Sequence, residues 1–193
     1  LQRILTDAVN MSFNRVTIDG DTSTNDTVML LSNKQSGNYH KEAFAQAMNK
    51  LLFELAMMIL KDGEGANKLV AFEVKGAKTE EEAQKASIAL SNSLLVKTAL
   101  FGEDPNWGRI ASTIGASGIA CSEESLTIHY DDLLIYSNEF RELDKAREER
   151  AYEIMKQEQF KVTCDIGLGD ASYTSYGCDL SYEYVKINAE YRT

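Results

Sequence analysis

The period of the apolar positions changes along the chain, and its longest regular stretch, residues 41–61, repeats every three to four residues. Such spacing is typical of a helix with one apolar face. That face consists of Phe44, Met48, Leu51, Leu55 and Met58. Because Met57 and Ile59 widen the face, we expect this helix to be buried on more than one side.

Three other segments favour helices: residues 1–13, 79–100 and 139–157. The second begins at Thr79 and has Glu82 three residues later, which is the order of a capping box. The third is rich in charge and has a sparse apolar face, so we expect an exposed helix.

Shorter segments that alternate, or that are rich in β-branched residues, favour strands. These are residues 15–18, 27–31, 69–74, 126–129, 133–136, 160–166, 170–180 and 182–187. A strand followed directly by a capped helix, as at 69–100, is typical of α/β proteins. The predicted fold class is therefore α/β, with mixed β-sheets layered with helices. We expect either one unit over residues 1–193 or a division near residue 120 into a catalytic half and a C-terminal α/β half.

A polar loop at residues 19–27 contains only small, polar or acidic side chains. Such residues make ordinary surface turns, and they can also hold hydroxyls and carboxylates beside a cleft. A second turn, residues 62–65, ends the long helix, and we expect Gly63 to take the left-handed cap conformation. Glu64 lies between two glycines, so its carboxylate could enter a pocket that bulkier neighbours would block, or it could simply be solvated.

Trp107 and Arg109 follow the single proline of the chain. They could bind a ligand by stacking and by a carboxylate fork. Alternatively, Trp107 packs and Arg109 pairs with a nearby carboxylate in a structural role. Proline and glycine exclude a regular element over residues 101–109. Gly115 and Gly118, among the small residues 110–119, indicate close packing of backbones.

The composition narrows the classes of function. The formal net charge of −10 excludes the basic surface of a nucleic-acid-binding protein, and it does not favour a membrane surface. No apolar run approaches the ~18 residues of a membrane-spanning helix. Cys121, Cys164 and Cys178 lack CxxC spacing, so we predict buried, reduced thiols rather than a disulfide framework or a zinc site. We predict no metal site and no cofactor.

The common short catalytic motifs are absent from the sequence, including the Walker loop, GxGxxG, GxSxG and HExxH. A Ser/His/Asp triad would need His40 or His129, the two histidines present. His129 alternates within a predicted strand, where we expect a packing or surface role.

Longer segments carry a resemblance that runs from end to end of the chain: residues 19–27, 62–65, 95–99, 104–109 and 188–193. Together and in this order they resemble the ornithine acetyltransferase family, the bifunctional glutamate N-acetyltransferase and amino-acid acetyltransferase of arginine biosynthesis. In that family a precursor cleaves itself before a threonine, which becomes the N-terminal nucleophile of the β chain.

The resemblance implies that this chain corresponds to a β chain whose nucleophilic threonine lies upstream of Leu1. We therefore assign no catalytic residue within the chain. The family's substrate contacts fall on Glu64, Asn188 and Thr193. The resemblance also implies an α chain of the same precursor that completes the fold and supplies the oxyanion-stabilising residues, an α2β2 heterotetramer, and a cytoplasmic location.

The activity that the resemblance implies is acetyl transfer from N2-acetylornithine to glutamate through an acetyl-threonine enzyme, in a ping-pong cycle. An N-terminal threonine can use its own α-amine as the base, which agrees with the lack of a triad. Acetyl-CoA as a further donor stays open. Two alternatives also stay open: a related self-cleaving N-terminal-nucleophile amidohydrolase or aminopeptidase, and a non-catalytic partner subunit.

Overall fold

The computed structural model describes residues 1–191, and it confirms the α/β class with a mixed sheet. The helices are α1 (Gln2–Asn10), α2 (Lys41–Lys61), α3 (Glu80–Asn92), α4 (Leu94–Phe101), α5 (Trp107–Ala116), α6 (Lys145–Met155) and α7 (Tyr182–Glu190). The strands are β1 (Leu69–Ala77), β2 (Thr127–Tyr130), β3 (Leu133–Tyr136), β4 (Gln159–Asp165) and β5 (Ala171–Cys178). A short 3₁₀ helix spans Phe13–Arg15.

The five strands form one sheet in the order β3-β2-β4-β1-β5. β1 pairs in parallel with β4 and antiparallel with β5. The strands predicted over residues 126–129 and 133–136 are confirmed as β2 and β3, which pair antiparallel as a hairpin. Strands from both sides of residue 120 share this sheet, and the division near that residue stays a prediction.

The main core lies between the sheet and α3. Val70, Phe72 and Val74 alternate along β1 with no exposed surface, and α3 packs on β1 and β5. Oγ of Ser87 in α3 lies within hydrogen-bonding distance of both the carbonyl oxygen of Phe72 and Oγ of Ser175, each at 2.7 Å. Hydrogen bonds therefore fix the register of the helix on the sheet, in addition to apolar contacts.

The cap predicted at Thr79 is confirmed, since its Oγ1 accepts from the N–H of Glu82 at 3.2 Å. The single helix expected over residues 79–100 is wrong, because the chain breaks at Ser93. Ser93 ends α3 in an extended conformation, and its side chain accepts from the N–H of Val96 as the cap of α4. A serine side chain can cap a new helix and so favours such a break.

The bounds predicted for α2 are confirmed. Its predicted face is confirmed at Met48, which is buried, and at Phe44, which packs against the α1–α2 core, but the burial expected on more than one side is wrong. The buried residues are Met48, Leu52, Ala56 and Leu60. Leu51, Leu55 and Met58 are instead 50%, 40% and 65% exposed. By length and composition alone, α2 is apolar enough to cross a membrane, although Lys50 and Glu54 interrupt its apolar run. Apolar residues surround the whole helix, so the pattern did not specify which face packs.

Two predicted strands beside the polar loop, 15–18 and 27–31, are wrong. Val16 makes only an isolated bridge to Tyr176, and residues 27–31 have no regular secondary structure. The strand predicted at 182–187 is also wrong, because that segment is helix α7. Ser181 caps it by accepting from the N–H of Tyr184 at 3.2 Å.

The region after α4 is more regular than expected. α5 begins at Trp107 because Asn106 caps it, accepting from the N–H of Arg109 at 3.2 Å. The close backbone packing expected at Gly115 is wrong, since a Cβ there would meet nothing within 4 Å. α6 is shorter than predicted, and it buries Ala151, Ile154 and Met155.

Candidate active site

An open cavity of about 1220 Å³ lies between α1, the polar loop, the end of α2 and the start of α7. The polar loop contributes Asp19, Asp21, Thr22, Ser23, Asp26 and Thr27 to its lining. Glu64, Tyr184 and Asn188 line it from the other side. The cavity therefore joins two segments that sequence analysis selected separately, the polar loop and the turn at residues 62–65.

Glu64 and Asn188 meet in this cavity although 124 positions separate them. Nδ2 of Asn188 donates to Oε2 of Glu64 at 2.8 Å and to the carbonyl oxygen of Tyr184 at 3.0 Å. Both side chains are exposed to the cavity. Thr193, the third predicted substrate contact, lies outside the described residues. The substrate-binding role of all three residues stays a prediction.

The turn that carries Glu64 is held by a glycine, but not by the one expected. Gly65 has φ +65°, whereas Gly63 is not left-handed, so the predicted cap at Gly63 is wrong. A Cβ on Gly65 would lie 2.5 Å from the backbone nitrogen of Tyr184 and 2.7 Å from Oγ of Ser181. Ser181 donates to the carbonyl oxygen of Gly65 at 2.6 Å. The absence of a side chain at Gly65 thus allows the turn to rest directly on the N-terminus of α7.

Asp179 anchors the segment that follows this turn. Its side chain is 3% exposed, and Oδ1 accepts from the backbone N–H groups of Asn67 at 2.7 Å and Lys68 at 2.9 Å. Oδ2 accepts from Nδ2 of Asn67 at 2.9 Å. Three donors on one buried carboxylate make a strong, charge-assisted anchor.

The polar loop is both a turn that satisfies its own backbone and a wall that presents polar groups to the cavity. It satisfies its own backbone, since Oδ1 of Asp19 accepts from the N–H of Asp21 at 2.9 Å. It also lines the cavity, where Oδ2 of Asp19 accepts from the hydroxyl of Tyr184 at 2.9 Å. Burial, followed by this contact with Asp19, raises the pKa of Tyr184 to about 12.

The cavity is acidic. Its lining includes the carboxylates of Asp19, Asp21, Asp26, Asp62 and Glu64, and it includes no lysine or arginine among the described residues. Such a surface favours ligands with a positive charge. No group of three metal-ligating side chains occurs in residues 1–191.

The Trp107 segment is not part of the lining of this cavity, and its contacts within the protein are structural ones. Trp107 stacks on Tyr136 with ring centroids 4.4 Å apart. Nη1 of Arg109 donates to the carbonyl oxygen of Leu95 at 3.0 Å and to Oγ1 of Thr98 at 3.3 Å. The expected carboxylate partner of Arg109 is therefore wrong, and this residue instead joins α5 to α4.

The cysteines and His129 are not among the residues that line the cavity. All three cysteines are free, and Cys164 and Cys178 are buried as predicted. Cys121 is exposed, so the prediction of burial is wrong there. His129 lies in β2, where burial lowers its pKa, as expected for a packing residue.

Sequence reasoning missed Tyr184, Asp179 and Ser181 as parts of the site. The segment after Cys178 alternates aromatic and β-branched residues with charged ones, and this alternation concealed a helix start. The available signal was a serine before Glu183, because serine at the cap and an acid in the first turn favour a helix N-terminus.

The described geometry can be compared with known proteins. The family model described as ArgJ family matches residues 1–193. An "Arginine biosynthesis bifunctional protein ArgJ" of Wolinella succinogenes is 58% identical over 193 residues, which are 100% of this chain and 49% of that protein. A "Glutamate N-acetyltransferase" of Methanocaldococcus jannaschii is 48% identical over 202 residues, covering 100% of this chain and 50% of that protein.

A solved structure is also similar: the crystal structure of the arginine biosynthesis bifunctional protein argJ of Bacillus halodurans. The TM-score is 0.89 at 36% sequence identity, and the match covers 98% of this chain and 92% of that chain. The chain spans about half the length of the curated relatives that it matches.

Proposed function

Because the chain belongs to the ArgJ family, as its match over residues 1–193 shows, we propose that it forms one half of a glutamate N-acetyltransferase of arginine biosynthesis. The observation that carries the proposal is the contact of 2.8 Å between Asn188 and Glu64 in an open acidic cavity. Two residues selected by family resemblance thus face the same space. The names of the relatives, glutamate N-acetyltransferase and ArgJ, support the same activity.

In the proposed reaction, a threonine hydroxyl from upstream of Leu1 attacks the acetyl carbonyl of N2-acetylornithine. The acetyl group moves to the threonine oxygen, the C–N bond breaks, and the leaving amine of ornithine takes a proton. The amine of glutamate then attacks the acetyl-threonine ester, and the threonine oxygen leaves with a proton. The two steps form a ping-pong cycle. Acetyl-CoA is a second donor that the same acetyl-enzyme intermediate would accommodate.

Glu64 acts on the amine in both steps. Its carboxylate holds the ammonium of the substrate or removes a proton from the attacking amine. Asn188 orients this carboxylate through Nδ2, and its amide also has an oxygen that can accept from an amine. The acidic lining suits ornithine, which carries an additional side-chain ammonium. Glutamate carries two carboxylates, so its cationic partners come from the α chain.

An α chain from the same precursor, released by self-cleavage, completes the site in this proposal. The apolar face of α2 supports this, because Leu51, Leu55, Met58 and Ile59 are 40–65% exposed. We propose that the α chain covers this face, that two αβ pairs form an α2β2 heterotetramer, and that the enzyme acts in the cytoplasm.

The α2 contact can be tested with a matched pair of charge substitutions. Gln46 lies nine residues before Leu55, which places it on the opposite side of the helix. Leu55→Glu should weaken the association of the two chains in native mass spectrometry, whereas Gln46→Glu should leave it intact. Equal association in both variants would exclude this face as the α-chain contact.

The activity is tested in the protein expressed from its full gene, with N2-acetylornithine labelled in the acetyl group and glutamate as acceptor. We expect labelled N-acetylglutamate, and label appearing mainly as acetate with water alone would instead favour a hydrolase. Glu64→Gln should lower turnover by about 100-fold or more, as for the loss of an acid–base group. Glu149→Gln, at an exposed position of α6, is the control and should retain turnover. Wild-type turnover in Glu64→Gln would remove Glu64 from the site.

A further inference from the structure

Lys97 is a buried lysine outside the lining of the cavity. It lies on α4 and is 1% exposed. Its Nζ donates to the carbonyl oxygen of Ile18 at 2.7 Å and to that of Cys178 at 2.6 Å, and it lies 3.6 Å from Sγ of Cys178. Each of the three N–H donors of the ammonium therefore has an acceptor, and these bonds offset the cost of burying the charge.

The first carbonyl that Lys97 holds begins a path to Asn188 through the polar loop. Ile18 directly precedes Asp19, whose Oδ2 accepts from the hydroxyl of Tyr184 at 2.9 Å. The carbonyl oxygen of Tyr184 accepts from Nδ2 of Asn188 at 3.0 Å. The same Nδ2 donates to Glu64 at 2.8 Å.

The second carbonyl begins a path to the turn that carries Glu64. Cys178 directly precedes Asp179, which accepts from the backbone N–H of Asn67 at 2.7 Å. Nδ2 of Asn67 donates to the carbonyl oxygen of Gly65 at 3.2 Å. Gly65 is the neighbour of Glu64 in the chain, so both paths end at the same carboxylate.

We propose that Lys97 is a positioning residue for the acetyl transfer: its ammonium joins the two walls of the cavity and thereby fixes Glu64 relative to Asn188. This role rests on the proposed function. Lys97 does not line the cavity, and it acts through the backbone carbonyl groups of the residues before Asp19 and Asp179. Displacement of a substrate-holding group by about 1 Å can reduce a rate about 100-fold. Loss of the bonds that Lys97 makes to the two walls should therefore lower turnover.

Lys97→Met keeps the length of the side chain and removes its three donors. In the full-length protein we expect kcat/KM to fall roughly 10- to 100-fold. In the Glu64→Gln background, the same substitution should lower kcat/KM by a much smaller factor, because residues that act through one another are not additive. A merely structural role would give the same factor in both backgrounds, and that result would overturn the proposal.

Hydrogen exchange tests the joint independently of activity. Lys97→Met should speed exchange at the amides of Asp21, Asn67 and Lys68, which bond to the two aspartates, while the β1–β4 ladder keeps its protection. Unchanged exchange at these amides would overturn the proposal. An inactive wild-type protein would instead refute the proposed function, and the exchange result would still decide whether Lys97 joins the two walls.

Two further variants complete the design. Ser87→Ala removes buried hydrogen bonds between α3 and the sheet, so it should lower stability and leave kcat/KM and exchange near Asp179 unchanged. A matching loss of kcat/KM in Ser87→Ala would show that general destabilisation explains the effect, and it would overturn the role of Lys97. If Lys97→Met does not fold, Lys97→Gln, which retains two N–H donors, replaces it in each measurement.

Discussion

Substitution of Gly65 by alanine tests whether the turn that carries Glu64 must rest on α7. Gly65 has φ +65°, a conformation that costs a residue with a Cβ about 1–2 kcal/mol. The new Cβ would also lie 2.5 Å from the nitrogen of Tyr184 and 2.7 Å from Oγ of Ser181. Both of these atoms belong to the start of α7, so relief of the contacts requires the turn and the helix to separate. Overpacking of this kind adds about 1–3 kcal/mol.

Gly37 provides a matched control. It has φ +73°, and a Cβ there would meet nothing within 4 Å. Gly37→Ala therefore carries the conformational penalty without the contact, and its expected loss is about 1–2 kcal/mol. Gly65→Ala carries both, and its expected loss is about 2–5 kcal/mol. Urea unfolding of the two variants measures the difference.

Turnover provides the second measurement for the same pair. Separation of the turn from α7 moves Glu64 away from Asn188, so Gly65→Ala should reduce acetyl transfer at temperatures where it remains folded. Gly37→Ala should turn over at the wild-type rate. Equal losses of unfolding free energy in the two variants would refute the close-contact argument. Wild-type turnover in a destabilised Gly65→Ala would refute the link between this contact and the site.

Three other predictions concern local interactions. Thr79→Ala should lower the free energy of unfolding by about 1 kcal/mol through loss of the bond to the N–H of Glu82, and Thr79→Ser should restore it, as followed by urea unfolding. A thiol reagent applied to the folded protein should label exposed Cys121 but not Cys164, whose pKa is raised by burial; fast labelling of Cys164, mapped by mass spectrometry, would contradict its burial. The raised pKa of Tyr184, about 12 against 10, means that stability from the neutral phenol is complete below pH 10 and is lost as pH rises through 12. Tyr184→Phe should remove this alkaline loss, and an unchanged pH profile of stability would contradict it.

The sequence was sufficient for elements whose signal is local. The bounds of α2, the cap at Thr79 and the hairpin of β2 and β3 follow from spacing, capping and turn chemistry. The buried face of α2 was not predictable in the same way. Leu51 and Leu52 are both apolar neighbours, and only the position of α1 and the sheet decides that Leu52 packs while Leu51 remains exposed.

The candidate site likewise has parts that the sequence predicted and parts that only the structure shows. The positions Glu64 and Asn188 followed from motif resemblance, whereas their mutual contact depends on α7, which alternation had indicated as a strand. A strand and a short helix with few buried residues are hard to distinguish by the spacing of apolar positions. No residue of α7 is fully buried. The joint at Lys97 was inaccessible from the sequence because its acceptors are backbone carbonyls, which every residue has.

The place of β1 inside the sheet has a consequence for synthesis on the ribosome. Both of its neighbours, β4 and β5, begin at Gln159 or later, so residues 69–77 leave the exit tunnel long before either hydrogen-bonding partner exists. Pairings of such sequence separation form slowly, and the unpaired edges favour aggregation in the meantime. Until β5 has been translated, Val70, Phe72 and Val74 therefore depend on α3 or on a chaperone for shielding from water.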